Sequence, residues 1–252
     1  MNNLPEKFII PKERIPKPWS QGLYGCCVAA SITKVLEVIN YVKTGKYVMF
    51  SKGYVYGKHN HPNKRQEGMD YTYAMESLLK HGTVPEEMFP IMNEMPNIRD
   101  DVNNHPNIDT INKEAEKTRI KSYYKIPGTS KFNEILKTYL YEKQMPIVGN
   151  MTGKRHCTVI VGWDGDKFLY HDHNGKETLY RGKFNEAYYL EGDFEMKKFK
   201  DVEDDRWSKK YVDKIYKEGI MLGVSEEEFK PTEGVTREQL AAVLCRALFG
   251  ME

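Results

Sequence analysis

The apolar residues of this chain keep one spacing up to about residue 145 and another beyond it. Val28, Ile32, Val35, Leu36 and Ile39 recur three and four positions apart, so residues 27–41 read as a helix. "YTYAMESLLKHG" (71–82) reads as a second helix with Gly82 as its stop, and "KFNEILKTYLYEKQ" (131–144) as a third, ended by Pro146. Past that point "MPIVGNM", "HCTVIVGWDG", "KFLYHDHNG" and "ETLYRG" are short runs broken at Gly and Asp, the texture of β-strands and turns. Helices first and strands second describe an α+β protein with two unlike halves. Residues 93–118, with their Asn, Asp and Pro, read as a long loop, and residues 1–20, with four prolines, as an extended leader lying on the body. After residue 195 the texture shifts again. "FKDVEDDRWSKKYVDKIYKEGIML" and "TREQLAAVLCRALFG", joined by "GVSEEEFKPTEG", read as a compact helix–loop–helix that occurs once. The expected division is 1–196 and 197–252.

A chain of 252 residues suffices for one medium domain and a small second one. A formal net charge of +2 argues against a nucleic-acid footprint or a membrane-surface patch, and no apolar run is long enough to span a membrane. The start of the sequence lacks a signal-peptide pattern, which places synthesis in the cytoplasm without a Sec signal. Cys26, Cys27, Cys157 and Cys245 are too few for a disulfide scaffold, and no CxxC pair suggests zinc. His171 and His173 flank Asp172 in "HDH", an alternation that reads as a turn rather than a ligand cage. No metal or organic cofactor is expected.

"QGLYGCC" (21–27) carries the chemistry. A lone cysteine is by default a buried small hydrophobe, but Cys27 falls at the first turn of the first helix, where unpaired N–H groups and the helix dipole favour an anion. A thiolate needs an imidazole beside it to hold the ion pair and to protonate a leaving amine. His156 opens an apolar strand about 130 residues on, and Asp172 ends the next strand about 145 residues on, with Asn174 as its rival for orienting the ring. Gln21 could donate a side-chain N–H to an oxyanion, with the backbone N–H of Cys27 as the second donor. Cys26, Cys157 and Cys245 read as packing thiols.

The ordered set Gln-Gly-x-x-Gly-x-Cys, then His before a Val/Ile-rich strand ending Gly-Trp, then a polar residue ending the next strand, resembles the papain-like cysteine peptidases. "PKPWSQG", "MFSKGYVYG" and "EGMDYTYAMESLLKHGTVPEEMFPI" are weaker echoes, and the resemblance covers about residues 8–190. It implies a two-lobed fold, with a helical N-terminal lobe and an antiparallel β C-terminal lobe. It also implies Cys27 as nucleophile, His156 as general base and Gln21 in the oxyanion hole, with a peptide or protein as substrate. The family usually has Asn where Asp172 stands, Trp where Val28 stands and a half-cystine where Tyr24 stands. These departures look like a divergent bacterial or phage branch. The leader is too short for a folded inhibitory segment, so the translated form is expected to be competent.

The last fifty residues resemble one S-layer homology (SLH) motif, from "FKDV" at Phe199 to the helix after Thr236. Thr236 with Gln239 spells a capping box. The resemblance implies binding of secondary cell-wall polysaccharide, with Asp201, Trp207 and Arg237 facing the glycan, and association with the cell wall. One copy where the family usually carries three leaves three readings: a homotrimer through the motif, pairing with the peptidase body, or a remnant. Two other functions stay open: an inactive wall-binding scaffold on a papain-like frame, and a cysteine amidase or acyltransferase acting on wall peptides.

Overall fold

The computed structural model describes residues 4–21, 25–58, 68–90, 98–192, 199–203, 205–217, 220–225 and 228–249; Tyr24 lies outside them. The chain divides into two compact units, Met1–Ile39 with Tyr47–Phe194, and Asn40–Lys46 with Glu195–Glu252.

β1 (Lys7–Ile9) precedes α1 (Cys27–Thr44), whose residues up to Ile39 belong to the first unit, and α2 (Lys52–Lys58), α3 (Tyr71–His81), α4 (Ile98–Asn103) and α5 (Ile108–Glu116) follow in that unit. Then come β2 (Ile120–Ile126), α6 (Phe132–Lys143), β3 (Ile147–Met151), β4 (Cys157–Asp164), β5 (Lys167–His171), β6 (Leu179–Gly182) and β7 (Phe184–Gly192). The strands form one antiparallel sheet in the order β2-β7-β3-β4-β5-β6. β3 pairs with the first half of β4 and β1 with the second half, Phe8 opposite Trp163. Of the described residues of the leader, Lys7–Ile9 are a strand of the sheet and Lys12–Arg14 turn into a short 3-10 helix, so it is less uniformly extended than expected.

Burial explains the elements. Val28, Ile32, Val35, Leu36 and Ile39 are all buried on α1, and so are Ser31, Thr33, Lys34 and Glu37. The helix is enclosed on every side because its polar residues find partners: Lys34 Nζ donates to the Lys17 carbonyl at 2.5 Å, and Glu37 accepts from the Tyr47 hydroxyl at 2.5 Å and from the Phe50 N–H at 3.2 Å. On α3, Asp70 caps the start by accepting the Thr72 N–H at 2.8 Å, and Gly82 ends the helix at φ 72°. A Cβ at Gly82 would come within 1.9 Å of the Ala115 carbonyl oxygen, so only glycine fits.

The long loop expected over 93–118 is overturned: within it lie α4 and α5. Ile98 and Val102 on one, and Ile111 and Ala115 on the other, are buried at a spacing of four. Asn104, Pro106 and Asn107 form the turn between the two helices, and Asp100, Asp101 and Asp109 lie within them.

The second unit contains α7 (Lys209–Lys217) and α8 (Arg237–Phe249). Its core is Phe199, Val202, Val212 and Tyr216 with Phe229 against them. The Asp201 carboxylate accepts the backbone N–H groups of Phe229 (3.0 Å) and Lys230 (2.6 Å), clasping the loop to the start of the unit. Thr236 and Gln239 form the expected capping box: Oγ1 accepts the Gln239 N–H at 3.1 Å, and Oε1 accepts the Thr236 N–H at 2.9 Å. No residue of α8 is buried. Cys245, expected in the core, is half-exposed for this reason. Among the described residues no helix is long and apolar enough to cross a membrane.

Candidate active site

Cys27 is the first residue of α1, where the helix leaves its leading N–H groups unpaired. His156 immediately precedes β4 and Asp172 immediately follows β5. Because β4 and β5 are antiparallel neighbours, with Val159 opposite His171, their polar ends meet at one edge of the sheet. His156 Nε2 lies 2.7 Å from Asp172 Oδ1. The same imidazole is the neighbour that lowers the pKa of the Cys27 thiol, and with Nε2 engaged by Asp172, Nδ1 is the nitrogen left for that role.

The charges follow from these contacts. Burial raises the pKa of Cys27, but the hydrogen bond from His156, backbone hydrogen bonds at Cys157 and Val28, and the imidazole's positive charge outweigh it, so the thiol lies below its ordinary range. His156 is held above its ordinary value by the hydrogen bond to Cys27, against burial, with Asp172 adding a hydrogen bond and its charge. The Asp172 carboxyl is likewise low: burial opposes ionisation, and the bonds from His156 and the His173 N–H overcome it. The two displacements, thiol down and imidazole up, run in the direction that favours a thiolate–imidazolium pair.

Asn174, the rival of Asp172, is engaged elsewhere: its Nδ2 donates to the Tyr180 hydroxyl at 2.9 Å and its Oδ1 accepts the Lys176 N–H at 3.0 Å. Gln21 is anchored beside the site by its backbone. Its N–H donates to the His173 carbonyl at 3.2 Å, and its carbonyl accepts the Cys26 S–H at 3.7 Å. Cys26 is buried, and burial pushes its thiol up to about 12, so the two adjacent cysteines differ sharply in acidity. Cys157 is buried, as expected. Among the described residues no group of three or more His, Cys, Asp or Glu could hold a metal ion.

Sequence reasoning did not assign a role to His173 or Ser31. His173 is buried, its Nε2 2.8 Å from Ser31 Oγ and 3.0 Å from the Cys157 carbonyl oxygen. The "HDH" alternation drew attention to the residue, but only the folded chain shows that its ring turns inward.

In the second unit Trp207 is 79% exposed and meets Tyr211 edge-on at 6.2 Å, with Lys210 over the tyrosine ring at 4.9 Å. Arg237 is exposed in the first turn of α8. Both oxygens of Asp201 are committed to the loop, and no hydrogen bond or ring contact joins Asp201, Trp207 and Arg237 to one another among the described residues.

Solved structures share the architecture of the first unit. The Amb a 11 cysteine protease of ragweed pollen, in its proform, is 18% identical with a TM-score of 0.57, over 75% of this chain and 66% of that one. Xylellain, a cysteine protease from Xylella fastidiosa, is 15% identical with a TM-score of 0.59, over 75% and 86%. Digestive procathepsin L 3 of Tenebrio molitor larval midgut is 14% identical with a TM-score of 0.57, over 75% and 71%. The fold is papain-like. Residues 198–241 match the S-layer homology domain. No curated protein matches the sequence significantly. This chain therefore joins a papain-like body, α+β as its sequence implied, to one S-layer homology segment, and it spans slightly less than two thirds of the ragweed proform.

Proposed function

We propose that the chain is a cysteine peptidase held at the cell wall by its S-layer homology segment. The observation that carries the first half is the His156–Asp172 contact at 2.7 Å beside Cys27 at the head of α1, with thiol and imidazole pKa values displaced in opposite directions by each other. In this reading the Cys27 thiolate attacks the carbonyl carbon of a peptide bond, and the carbonyl oxygen takes the electron pair and becomes an oxyanion. The Gln21 side chain and the backbone N–H of Cys27 receive that oxyanion. His156 gives its Nδ1 proton to the leaving amine as the C–N bond breaks, leaving an acyl group on sulfur. The neutral ring then takes a proton from water, the hydroxide displaces the sulfur, and acid and ion pair are regenerated. Asp172 keeps the ring oriented throughout and stabilises its charged form.

Alkylation tests the site. Iodoacetamide at pH 6 should modify Cys27 far faster than Cys245, with the position mapped by mass spectrometry; equal rates would leave only an inactive scaffold. Release from casein compared with release from purified peptidoglycan stem peptides separates a peptidase from an amidase or acyltransferase.

The wall-binding half rests on the match at 198–241 and on the exposed Trp207 and Arg237. In this reading the segment acts as a homotrimer. The apolar stripe Leu240, Leu244 and Leu248 is open on α8, and a helix with no buried residue needs a neighbour. Co-sedimentation with purified wall polysaccharide and sedimentation-equilibrium mass test the two parts separately.

A further inference from the structure

Four pieces of chain meet at the candidate site: the residues bearing Gln21, the head of α1, the head of β4 and the end of β5. One residue bonds to all of them. His173 follows Asp172, and its backbone N–H donates to Asp172 Oδ1 at 2.8 Å. Its carbonyl accepts the Gln21 N–H at 3.2 Å. Its ring Nε2 contacts the Cys157 carbonyl oxygen at 3.0 Å and Ser31 Oγ at 2.8 Å. Ser31 is one turn beyond Cys27, and its hydroxyl donates to the Cys27 carbonyl at 2.8 Å.

The bonding fixes the tautomer. A carbonyl only accepts, so Nε2 must carry the proton, shared between the Cys157 carbonyl and the Ser31 oxygen. The other ring nitrogen, Nδ1, is then bare, and it is buried without a hydrogen-bond partner among the described residues. Charging this ring would be costly. Burial first, then the positive charges of Lys34 on α1 and His156 before β4, hold its pKa down to about 3, against the opposing charge of Asp172. Neutrality suits the site, since the His156 ring is 6.0 Å away and has to carry the positive charge itself.

We propose that His173 is a positioning residue whose Nε2–H, shared between the Cys157 carbonyl and the Ser31 hydroxyl, sets the separation of Cys27 and His156. This rests on reading those two residues as nucleophile and acid–base. The bridge runs from the residue after His156 to the residue one turn beyond Cys27, so it spans the gap across which the proton moves. A sulfur and an imidazole that share a proton tolerate little misplacement. The bare Nδ1 is the cost of directing the ring's single N–H to that bridge.

The test compares His173→Leu, which keeps bulk and removes the N–H, with His173→Gln, which retains an amide N–H, and with Ser31→Ala, which removes one arm of the bridge and almost no volume. Three quantities are read: kcat and KM on a peptide substrate, the pH dependence of iodoacetamide alkylation mapped to Cys27, and Tm. The expected result is that His173→Leu lowers kcat by roughly 10- to 100-fold with KM within about twofold. Alkylation of Cys27 slows at pH 6 and its acidic limb moves to higher pH. His173→Gln recovers most of both effects, and Ser31→Ala shows the same direction with smaller amplitude. A lower Tm with kcat and the alkylation profile unchanged would mean that the residue only holds the fold, and it would overturn the proposal. If His173→Leu does not fold, Ser31→Ala decides by the same criterion. A wild-type protein that alkylates quickly at Cys27 but cleaves no peptide defeats the peptidase reading alone, since the alkylation profiles still decide on His173.

Discussion

The helices α1 and α8 are built from similar residues, "CVAASITKVLEVINYVKT" and "REQLAAVLCRALF", yet they end in opposite surroundings. On α1 even Lys34 and Glu37 are fully buried, each with bonding partners. On α8 nothing is buried, and Leu248 and Phe249 are 68% and 73% exposed. Helix composition alone does not decide burial; the amount of chain available to surround the helix does. The first unit provides a sheet and five further helices for its core, whereas the described residues of the second bury four apolar side chains, none of them on α8. The papain-like body therefore encloses even charged side chains by itself. The C-terminal unit leaves the whole of α8 on its surface.

If the two regions are separable in this sense, the largest effect should stay in one of them. Cys27→Ala should lower peptide hydrolysis at least about 1000-fold, while binding to wall polysaccharide, read by co-sedimentation, stays at the wild-type level. Loss of both together would break the comparison. Next in size is a matched pair of core deletions. Leu36→Ala should cost about 3 kcal/mol in chemical denaturation because it empties an enclosed site. Leu244→Ala, nearly half exposed, should cost less than about 0.5 kcal/mol in dilute protein. A larger cost that grows with protein concentration would show α8 buried against another copy.

The third prediction concerns the first unit alone. Activity should rise with pH through the depressed pKa of Cys27 and fall through the raised pKa of His156. Asp172 helps keep the imidazole protonated, so Asp172→Asn removes a charge that favours the cation. The alkaline limb should therefore move to lower pH, with kcat reduced by roughly tenfold and the acidic limb nearly fixed. An alkaline limb that stays in place would mean that Asp172 does not set the charge of His156.

Much of this was legible in the sequence because it is local. Helical spacing showed α1, the cap at Gly82 showed the end of α3, and the order of Gln21, Cys27, His156 and Asp172 showed a candidate site. What stayed hidden depends on distant partners. β1, in the leader, becomes a strand only because the second half of β4 has an open edge. α4 and α5 hid inside a polar stretch because the described residues there bury only two apolar pairs, Ile98 with Val102 and Ile111 with Ala115. His173 was hidden for a related reason: alternation along a strand fixes which face a side chain takes but not which carbonyl it reaches. Cys245 was misplaced because an apolar helix face implies a core only when something covers it.

The smallest effect tests the comparison most finely, because it asks what holds α8 in place. At its start Thr236 and Gln239 satisfy each other's backbone N–H groups, and no buried side chain backs them. The start of α3 has a similar cap at Asp70, but there Ala74, Met75 and Leu78 are buried behind it. Removing either cap, by Thr236→Ala or Asp70→Ala, should cost about 1 kcal/mol. The consequences should nevertheless differ. With Asp70→Ala, packing keeps the helix formed, and amide exchange along Ala74–Leu78 stays slow. With Thr236→Ala, a helix held by little more than its own hydrogen bonds should fray, and exchange over residues 237–241 should accelerate in dilute protein. If those amides stay protected as the protein is diluted, α8 draws its stability from packing that its exposed leucines do not reveal, and the contrast between the two regions is weaker than their burial makes it look.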